Sequence, residues 1–132
     1  MTRKEAREWL IKTVYQQDFH RKEGFSFFES SMRELTDKAQ AEYIQNVLSS
    51  VFNKEVLINQ KIEGSSINWA LARIPKIDLA IMKVAVAEIL FLKDIPQAAS
   101  VNEAVELAKI YGATEKSPDF INAVLKKITK NE

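Results

Sequence analysis

The first 22 residues carry a local excess of positive charge. They contain six lysine or arginine residues and three acids, namely Arg3, Lys4, Arg7, Lys12, Arg21 and Lys22 against Glu5, Glu8 and Asp18. Arg3, Lys4 and Arg7 fall within about one turn of a predicted helix, where their side chains could reach successive phosphates. Tyr15 follows on the same segment as a ring on which an unpaired base could stack. A solvated helix face often carries as much charge, so the residues alone leave both interpretations open.

Catalytic chemistry has little support in the sequence. The three glycines lie far apart, so the sequence contains neither of the common glycine-rich phosphate-binding motifs. The chain has no cysteine, which excludes disulfides, cysteine nucleophiles and zinc sites with cysteine ligands. The lone histidine, His20, is more typical of a solvated residue than of a catalytic base. The acidic pair Glu103 and Glu106 is more typical of a helix surface than of a metal site. We therefore expect no catalytic residue, no cofactor and no metal.

Three further aromatic residues could belong to the core or to a binding surface. Trp9 and Trp69 lie among apolar residues at helical spacing, which favours the core. Phe120 follows a loop and begins the last predicted helix, so its ring could close the core or lie at the rim, within reach of an unpaired base. The residues around Phe120 leave this choice open.

These side chains must be positioned by a chain of 132 residues, of which 46% are hydrophobic and 28% charged. This length and composition predict one domain that spans residues 1–132. The net charge is +1, so any binding of nucleic acid would depend on local charge. The most apolar stretch, residues 77–92, contains three charged residues and is shorter than the about 20 residues of a membrane span. The N-terminus lacks the apolar core of a signal peptide, and we expect a cytoplasmic protein.

Apolar residues recur at helical spacing, and glycine and proline lie between the apolar segments. The pattern predicts an all-α fold of six to seven helices around the apolar segment 77–92. Its charged residues Asp78, Lys83 and Glu88 are expected near the surface or in paired sites. A weaker segment covers about residues 25–35, and a longer helix, capped by Asp37, is predicted to end before Gly64.

The sequence also predicts how several helices begin and end. The predicted starts are Ser65 or Ser66 before a short segment at 67–74, a capping box of Ser100 with Glu103, and Ser117 followed by Pro118 at the first helical position. Gly112 is predicted to close a helix in the left-handed conformation.

Six runs in the second half of the chain form a distinctive series. They are LARI at 71–74, IDLAIMK at 77–83, AEIL at 87–90, DIP at 94–96, VNEAVELAK at 101–109 and FINAVL at 120–125. In the first half, Ala6-Arg7-Glu8 and Val14-Tyr15 continue the series, whereas residues 20–65 match by helical pattern only. In these runs the chain resembles the NusB family of transcription antitermination factors, over nearly its whole length.

The resemblance implies an all-helical RNA-binding protein without catalytic activity. Such a protein joins the ribosomal protein NusE on the boxA element of nascent ribosomal RNA and helps RNA polymerase to resist termination. In the family, the basic start of the first helix and a following aromatic residue contact RNA, and these positions are Arg3, Lys4, Arg7 and Tyr15. Phe120 matches a further RNA contact of the family. Asp78 matches an acidic residue that contacts NusE.

Two departures from the family pattern bear on affinity and on the site. Glu5 lies where other members carry a further arginine, which predicts fewer phosphate contacts and weak RNA binding by the protein alone. The loop at 114–119 is longer by a residue, so no RNA contact is carried onto it. Two other functions remain open: a helical adaptor that binds only proteins, and a domain of a ribosomal RNA methyltransferase, since the same helical domain occurs at the front of those enzymes.

Overall fold

The computed structural model describes residues 1–66 and 70–132. Within these residues the chain forms seven α-helices, two short 3-10 segments and no strand. The helices are α1 (Arg3–Gln17), α2 (Phe25–Arg33), α3 (Ala41–Asn53), α4 (Glu55–Ser65), α5 (Lys76–Phe91), α6 (Gln97–Tyr111) and α7 (Ser117–Lys130). The 3-10 segments are Asp18–Glu23 and Leu71–Arg73. The prediction of an all-α fold with six to seven helices is confirmed.

Helix α5 lies at the centre of the fold. Every residue from 78 to 89 is buried, and α1, α3, α4, α6 and α7 all contact this helix. A helix that is apolar on nearly all sides is stable in water only when other elements surround it. Helix α1 runs antiparallel to α5, because Arg7 near its start pairs with Glu88, and Asp18 just past its end pairs with Lys76. In the part of the chain that the structure describes, no helix is long and apolar enough to span a membrane.

The three charged residues within the buried part of α5, Asp78, Lys83 and Glu88, all have partners. The Lys83 ammonium lies 3.3 Å from the Glu55 carboxylate. Glu88 is paired with Arg7 at 2.9 Å, and Asp78 accepts hydrogen bonds from the loop that follows α6. A buried charge is tolerated only with such partners, and the prediction of paired sites is confirmed.

The long helix predicted to end before Gly64 is two helices in the structure. Lys54 separates α3 from α4 with φ −116° and ψ 24°, outside the helical region. Asp37 does not cap α3, because its carboxylate accepts the Ala39 N–H at 2.9 Å and pairs with the terminal amine. Gly64 lies inside α4 rather than beyond it. The sequence does not reveal the break, because apolar spacing continues on both sides of it.

The capping box of this protein belongs to α1. The Thr2 hydroxyl accepts the N–H of Glu5 at 3.1 Å, and the Glu5 carboxylate accepts the N–H of Thr2 at 2.8 Å. These bonds satisfy donors of the first turn and place an acid where the helix dipole favours it. The box predicted at Ser100 and Glu103 is wrong. Ser100 lies buried inside α6, and its hydroxyl donates to Glu88 at 2.8 Å.

The loop between α6 and α7 depends on glycine for space. Gly112 has φ −58°, so the left-handed conformation predicted for it is wrong. A Cβ at this position would lie 2.5 Å from the Ala108 carbonyl oxygen and 2.6 Å from the Ser117 Cβ. Ser117 is the first residue of α7, so Lys116 occupies the cap and Pro118 the second helical position.

Trp69 and the first part of the predicted segment 67–74 lie outside the described residues. The Ser66 hydroxyl donates to the Ile62 carbonyl at 2.6 Å, so this serine ends α4 instead of beginning the next segment. Trp9 is partly buried against the core, as predicted.

Candidate nucleic-acid interface

One face of α1 presents two cations and an aromatic ring to solvent. Lys4, Lys12 and Tyr15 are exposed, and their spacing places them along one side of the helix. The Lys12 ammonium lies 5.3 Å from the centre of the Tyr111 ring. The Tyr111 hydroxyl donates to Glu8, which lies between the two lysines along the helix. We call Lys4, Lys12 and Tyr15 the α1 strip.

Arg3 is held at the start of α1 by residues from α3 and the loop before it. Its Nε donates to the Gln40 side-chain oxygen at 2.7 Å, and its guanidinium lies 4.0 Å from the centre of the Tyr43 ring. Both contacts fix the direction of a half-buried side chain that borders a polar cavity of about 290 Å³. Gln40 and Tyr43 were missed as site residues, because they lie about 40 positions from Arg3 and no local motif connects them.

Arg7 is not available to bind phosphate. The side chain is 9% exposed, and its Nε and Nη2 donate to the two oxygens of Glu88, each at 2.9 Å. This bidentate pair occupies one edge of the guanidinium, and burial keeps the rest of the side chain away from a phosphate in solvent. The structure therefore places Arg7, which the sequence predicts as an RNA contact, in the core, where its pair with Glu88 supports α1.

A four-residue network surrounds the Glu88 carboxylate. Besides Arg7, the Ser100 hydroxyl donates to it at 2.8 Å and the Tyr43 hydroxyl donates through a short bond. Burial raises the pKa of Tyr43, and the nearby charge of Glu88 raises it further. Tyr43 thus stays a neutral donor, with its hydroxyl in the core and its ring beneath Arg3.

The two remaining cations of the first 22 residues differ in their contacts. Arg21 pairs with Asp18 at 2.8 Å and with Glu55 at 2.9 Å, whereas Lys22 is exposed. Partial burial acts to raise the pKa of Asp18, but hydrogen bonds and charges of Arg21 and Lys76 outweigh it and lower the pKa. The positive excess at the surface is therefore carried by the lysines and by Arg3.

Glu5 also remains a charged group beside the α1 strip. Hydrogen bonds from the N–H and the hydroxyl of Thr2 lower the pKa of this exposed carboxylate. A negative charge next to Lys4 opposes the approach of phosphate. Glu5 thus stabilises the start of α1 while it reduces the positive charge there.

Phe120 and Asp78 lie at the junction of α5 and α7. Phe120 is half-buried and borders an open cavity of about 450 Å³. The other lining residues are Ile74, Pro75, Asp78, Thr114, Lys116 and Ser117. The sequence leaves open whether the Phe120 ring closes the core or lies at its rim. The half-buried ring beside this cavity agrees with the rim.

Asp78 is buried rather than displayed to a partner. It is 3% exposed, and its two oxygens accept the Ala113 N–H at 2.9 Å and the Ser117 hydroxyl at 2.7 Å. The Ser117 oxygen in turn accepts the Thr114 N–H at 3.1 Å. The carboxylate therefore fixes the loop between α6 and α7. The structure thus places Asp78, which the sequence predicts as a contact for a partner protein, beneath this loop rather than at the surface.

The fold brings Tyr15 and the Phe120 cavity toward the same end of α5. The Asp18–Lys76 ion pair, at 3.2 Å, joins the residue after α1 to the residue after Pro75. Arg3 lies about 18 Å farther along α1 from Tyr15, given a rise of about 1.5 Å per residue. Arg3 and Tyr15 thus lie near opposite ends of α1, and the Phe120 cavity lies toward the Tyr15 end.

Among the described residues, no group of three or more histidine, cysteine or acidic side chains could hold a metal. His20 stacks on Phe27 with ring centres 4.3 Å apart, and its Nδ1 lies 2.9 Å from Glu23. These contacts agree with the interpretation of a half-exposed surface histidine.

A family model described as the NusB family matches residues 4–130. The chain belongs to the NusB family. It is 42% identical over 132 residues to the transcription antitermination protein NusB of Thermoanaerobacter sp. strain X514, covering all of this chain and 93% of that protein. It is 41% identical over 137 aligned residues to the NusB protein of Alkaliphilus oremlandii, covering all of this chain and 96% of that protein.

Two solved structures share the fold. T. maritima NusB is 31% identical and superposes with a TM-score of 0.89, covering all of this chain and 93% of that one. A chain in a crystal structure described as a plectonemic RNA supercoil is 27% identical, with a TM-score of 0.83 and coverage of 98% and 94%. Membership of the NusB family agrees with the prediction of a non-enzymatic protein.

Proposed function

We propose that this NusB-family protein is an RNA-binding transcription antitermination factor of the cytoplasm. It binds the boxA element of nascent ribosomal RNA together with ribosomal protein NusE, and the complex helps RNA polymerase to resist termination. The family match over residues 4–130 carries this proposal. The exposed α1 strip supports it, because lysines and a ring on one helix face provide what a single-stranded RNA needs.

The proposed RNA path follows the length of α1. Phosphates would contact Arg3, Lys4 and Lys12, and unpaired bases would stack on Tyr15 and on Phe120. Lys12 replaces the buried Arg7 in this path, because its ammonium is exposed. Three or four phosphate contacts imply a slope of about −2 to −3 in the logarithm of affinity against the logarithm of salt concentration.

Such a small footprint predicts weak binding by the protein alone. On α1, only Lys4, Lys12 and the half-buried Arg3 reach the surface, and the charged Glu5 lies next to Lys4. A partner that adds phosphate contacts would raise the affinity steeply, because each contact releases counterions. NusE bound next to the RNA would supply this further surface.

The proposed NusE surface lies in the apolar cavity at the junction of α5 and α7, beside Phe120, so that NusE and the base on Phe120 would be neighbours. Ile74 and Pro75 line one side of it, and the loop held by Asp78 lines the other. Replacement of Asp78 would disturb this loop directly, so Lys116→Glu tests the surface more cleanly, because Lys116 is exposed. We expect Lys116→Glu to reduce NusE capture and Lys130→Glu, at the far end of α7, to leave it unchanged. Equal capture by wild type and Lys116→Glu would contradict the surface.

The RNA path is tested by titration of a labelled boxA RNA over a series of salt concentrations. Lys4→Ala and Lys12→Ala should each weaken binding and flatten the salt slope by about 0.7, the contribution of one phosphate contact with a single strand. Lys130→Ala is the matched control, an exposed lysine at the last position of α7. Unchanged affinity and slope in both α1 variants would overturn the proposed path.

The two alternative functions give different results. The chain matches nearly the whole length of relatives that carry the name transcription antitermination protein, which favours that function over a methyltransferase domain. An adaptor that binds only proteins would capture NusE but would show no binding of boxA RNA, with or without NusE.

A further inference from the structure

Phe19 is a large apolar side chain exposed without a role in the proposed path. It lies in the 3-10 segment after α1, and 73% of its surface is exposed. Val56 at 71% and Ile110 at 59% are exposed to a similar extent, but they are aliphatic. Phe19 differs from both, because an aromatic ring provides a flat face for a base.

The neighbour of Phe19 is the aromatic residue of the α1 strip. The ring centres of Tyr15 and Phe19 are 5.9 Å apart, and their planes differ by 65°. One flat base can therefore stack on only one of the two rings. Two adjacent unstacked bases could each use one, because the ring centres lie close together while their faces point in different directions.

The charges around Phe19 permit the approach of RNA. Lys12 and Lys22 are exposed on either side of it in the chain. The nearest acid, Asp18, is paired with Arg21 at 2.8 Å and with Lys76 at 3.2 Å. Its charge is thus largely offset, and Lys76 lies one residue from the cavity that Phe120 borders.

We propose that Phe19 is a second stacking site for an unpaired RNA base, next to the base on Tyr15. This inference rests on the proposed function and deepens it, because it extends the RNA path from α1 toward Phe120. The occupant is a nucleobase of single-stranded RNA. The nearby cations and the contact with Tyr15 favour RNA over an apolar partner surface, which would need a larger apolar patch.

The first test compares Phe19→Ala, Phe19→Trp and Val56→Ala in titrations of labelled boxA RNA. Phe19→Ala should bind at least about fivefold more weakly, the loss expected for one stacked base. Phe19→Trp should keep the wild-type affinity, and its fluorescence should be quenched when RNA binds. Val56→Ala is the matched control and should bind like the wild type. Both replaced side chains, Phe19 and Val56, are exposed, so thermal unfolding should change little in all three variants.

The second test removes the base instead of the ring. A series of RNA probes each carries one abasic nucleotide at a different position. For one probe, whose abasic nucleotide is adjacent to the position that responds to Tyr15→Ala, we expect wild type and Phe19→Ala to have equal RNA affinity. When the two proteins no longer differ in affinity, the missing base is the one that contacts the Phe19 ring.

Three other outcomes decide against the proposal at different levels. If Phe19→Ala binds RNA like the wild type while Tyr15→Ala and Lys4→Ala bind more weakly, Phe19 is not a stacking site but the proposed function stands. If none of these three substitutions changes RNA affinity, both the Phe19 stacking site and the proposed function are wrong. If Phe19→Ala reduces only NusE capture, the ring belongs to a protein surface and the RNA assignment is wrong.

Discussion

At the scale of single residues, burial decides which cations can bind RNA. Lys4 and Arg7 lie three positions apart and carry the same charge, yet Lys4 is exposed and Arg7 is buried against Glu88. The partner of Arg7 is 81 positions away in the chain. The spacing of residues in the sequence therefore predicts a cluster of cations on α1. It does not predict which of these cations is buried in an ion pair in the core.

Arg7→Ala is expected to destabilise the fold rather than to act on RNA. It leaves the Glu88 carboxylate, 1% exposed, without its charged partner. Removal of one member of a buried ion pair typically costs about 3–5 kcal/mol of the free energy of unfolding. Urea unfolding of the purified variant measures this loss.

The matched control for this prediction is Lys4→Ala, which should change the free energy of unfolding by less than about 0.5 kcal/mol. The double variant Arg7→Ala with Glu88→Gln should recover part of the lost stability, because the unpaired charge is removed. Near wild-type stability of Arg7→Ala would contradict the structural role of the pair.

At the scale of elements, most helices could be predicted, but most of their ends and the break at Lys54 between α3 and α4 could not. Apolar spacing identifies the buried face of each helix, and it correctly predicts α5 as the central one. The ends depend on contacts between distant segments. Ser100 looks like a cap from its neighbours but donates to Glu88 in α5, and Gly112 looks like a left-handed end but is glycine because α7 begins against it.

Gly112→Ala tests this packing of the loop between α6 and α7. The new Cβ would lie within 2.6 Å of both the Ala108 carbonyl oxygen and the Ser117 Cβ, so the loop must move. Overpacking of this kind typically costs about 1–3 kcal/mol. Chemical denaturation should show this loss, and NusE capture should weaken with it, because the loop lines the proposed cavity. Gly64→Ala, with nothing within 4 Å of its new Cβ, is the control and should not destabilise.

The junction between α1 and α5 should depend on pH through Asp18. Its lowered pKa means that the charged form stabilises the fold above the unfolded value of about 3.9, and this contribution is lost as the pH falls through the folded value. Asp18→Asn should thus reduce stability at neutral pH by at most about 1 kcal/mol, since the pair is partly exposed.

The difference between Asp18→Asn and the wild type should shrink as the pH falls below about 4. Thermal unfolding at a series of pH values measures it. A difference that stays constant down to the most acidic pH would show that the carboxylate charge at this junction is not what stabilises it.

At the scale of the whole molecule, a net charge of +1 conceals an uneven distribution. Several acids are used within the structure: Glu88 in the core, Glu55 against Lys83 and Arg21, and Asp18 against Lys76. Lysines of the α1 strip stay exposed. A nearly neutral chain can therefore present a locally basic surface, but a small one, which is the reason that we expect its RNA binding to need a partner.

Titration of labelled boxA RNA with and without NusE is the decisive test of the proposed function. We expect weak, salt-sensitive binding by the protein alone and much tighter binding when NusE is present. Replacement of Lys4 and Lys12 by alanine together should weaken binding in both cases, while Lys130→Ala binds like the wild type. RNA affinity that is the same with and without NusE, and unaffected by the double replacement, would contradict the proposed function.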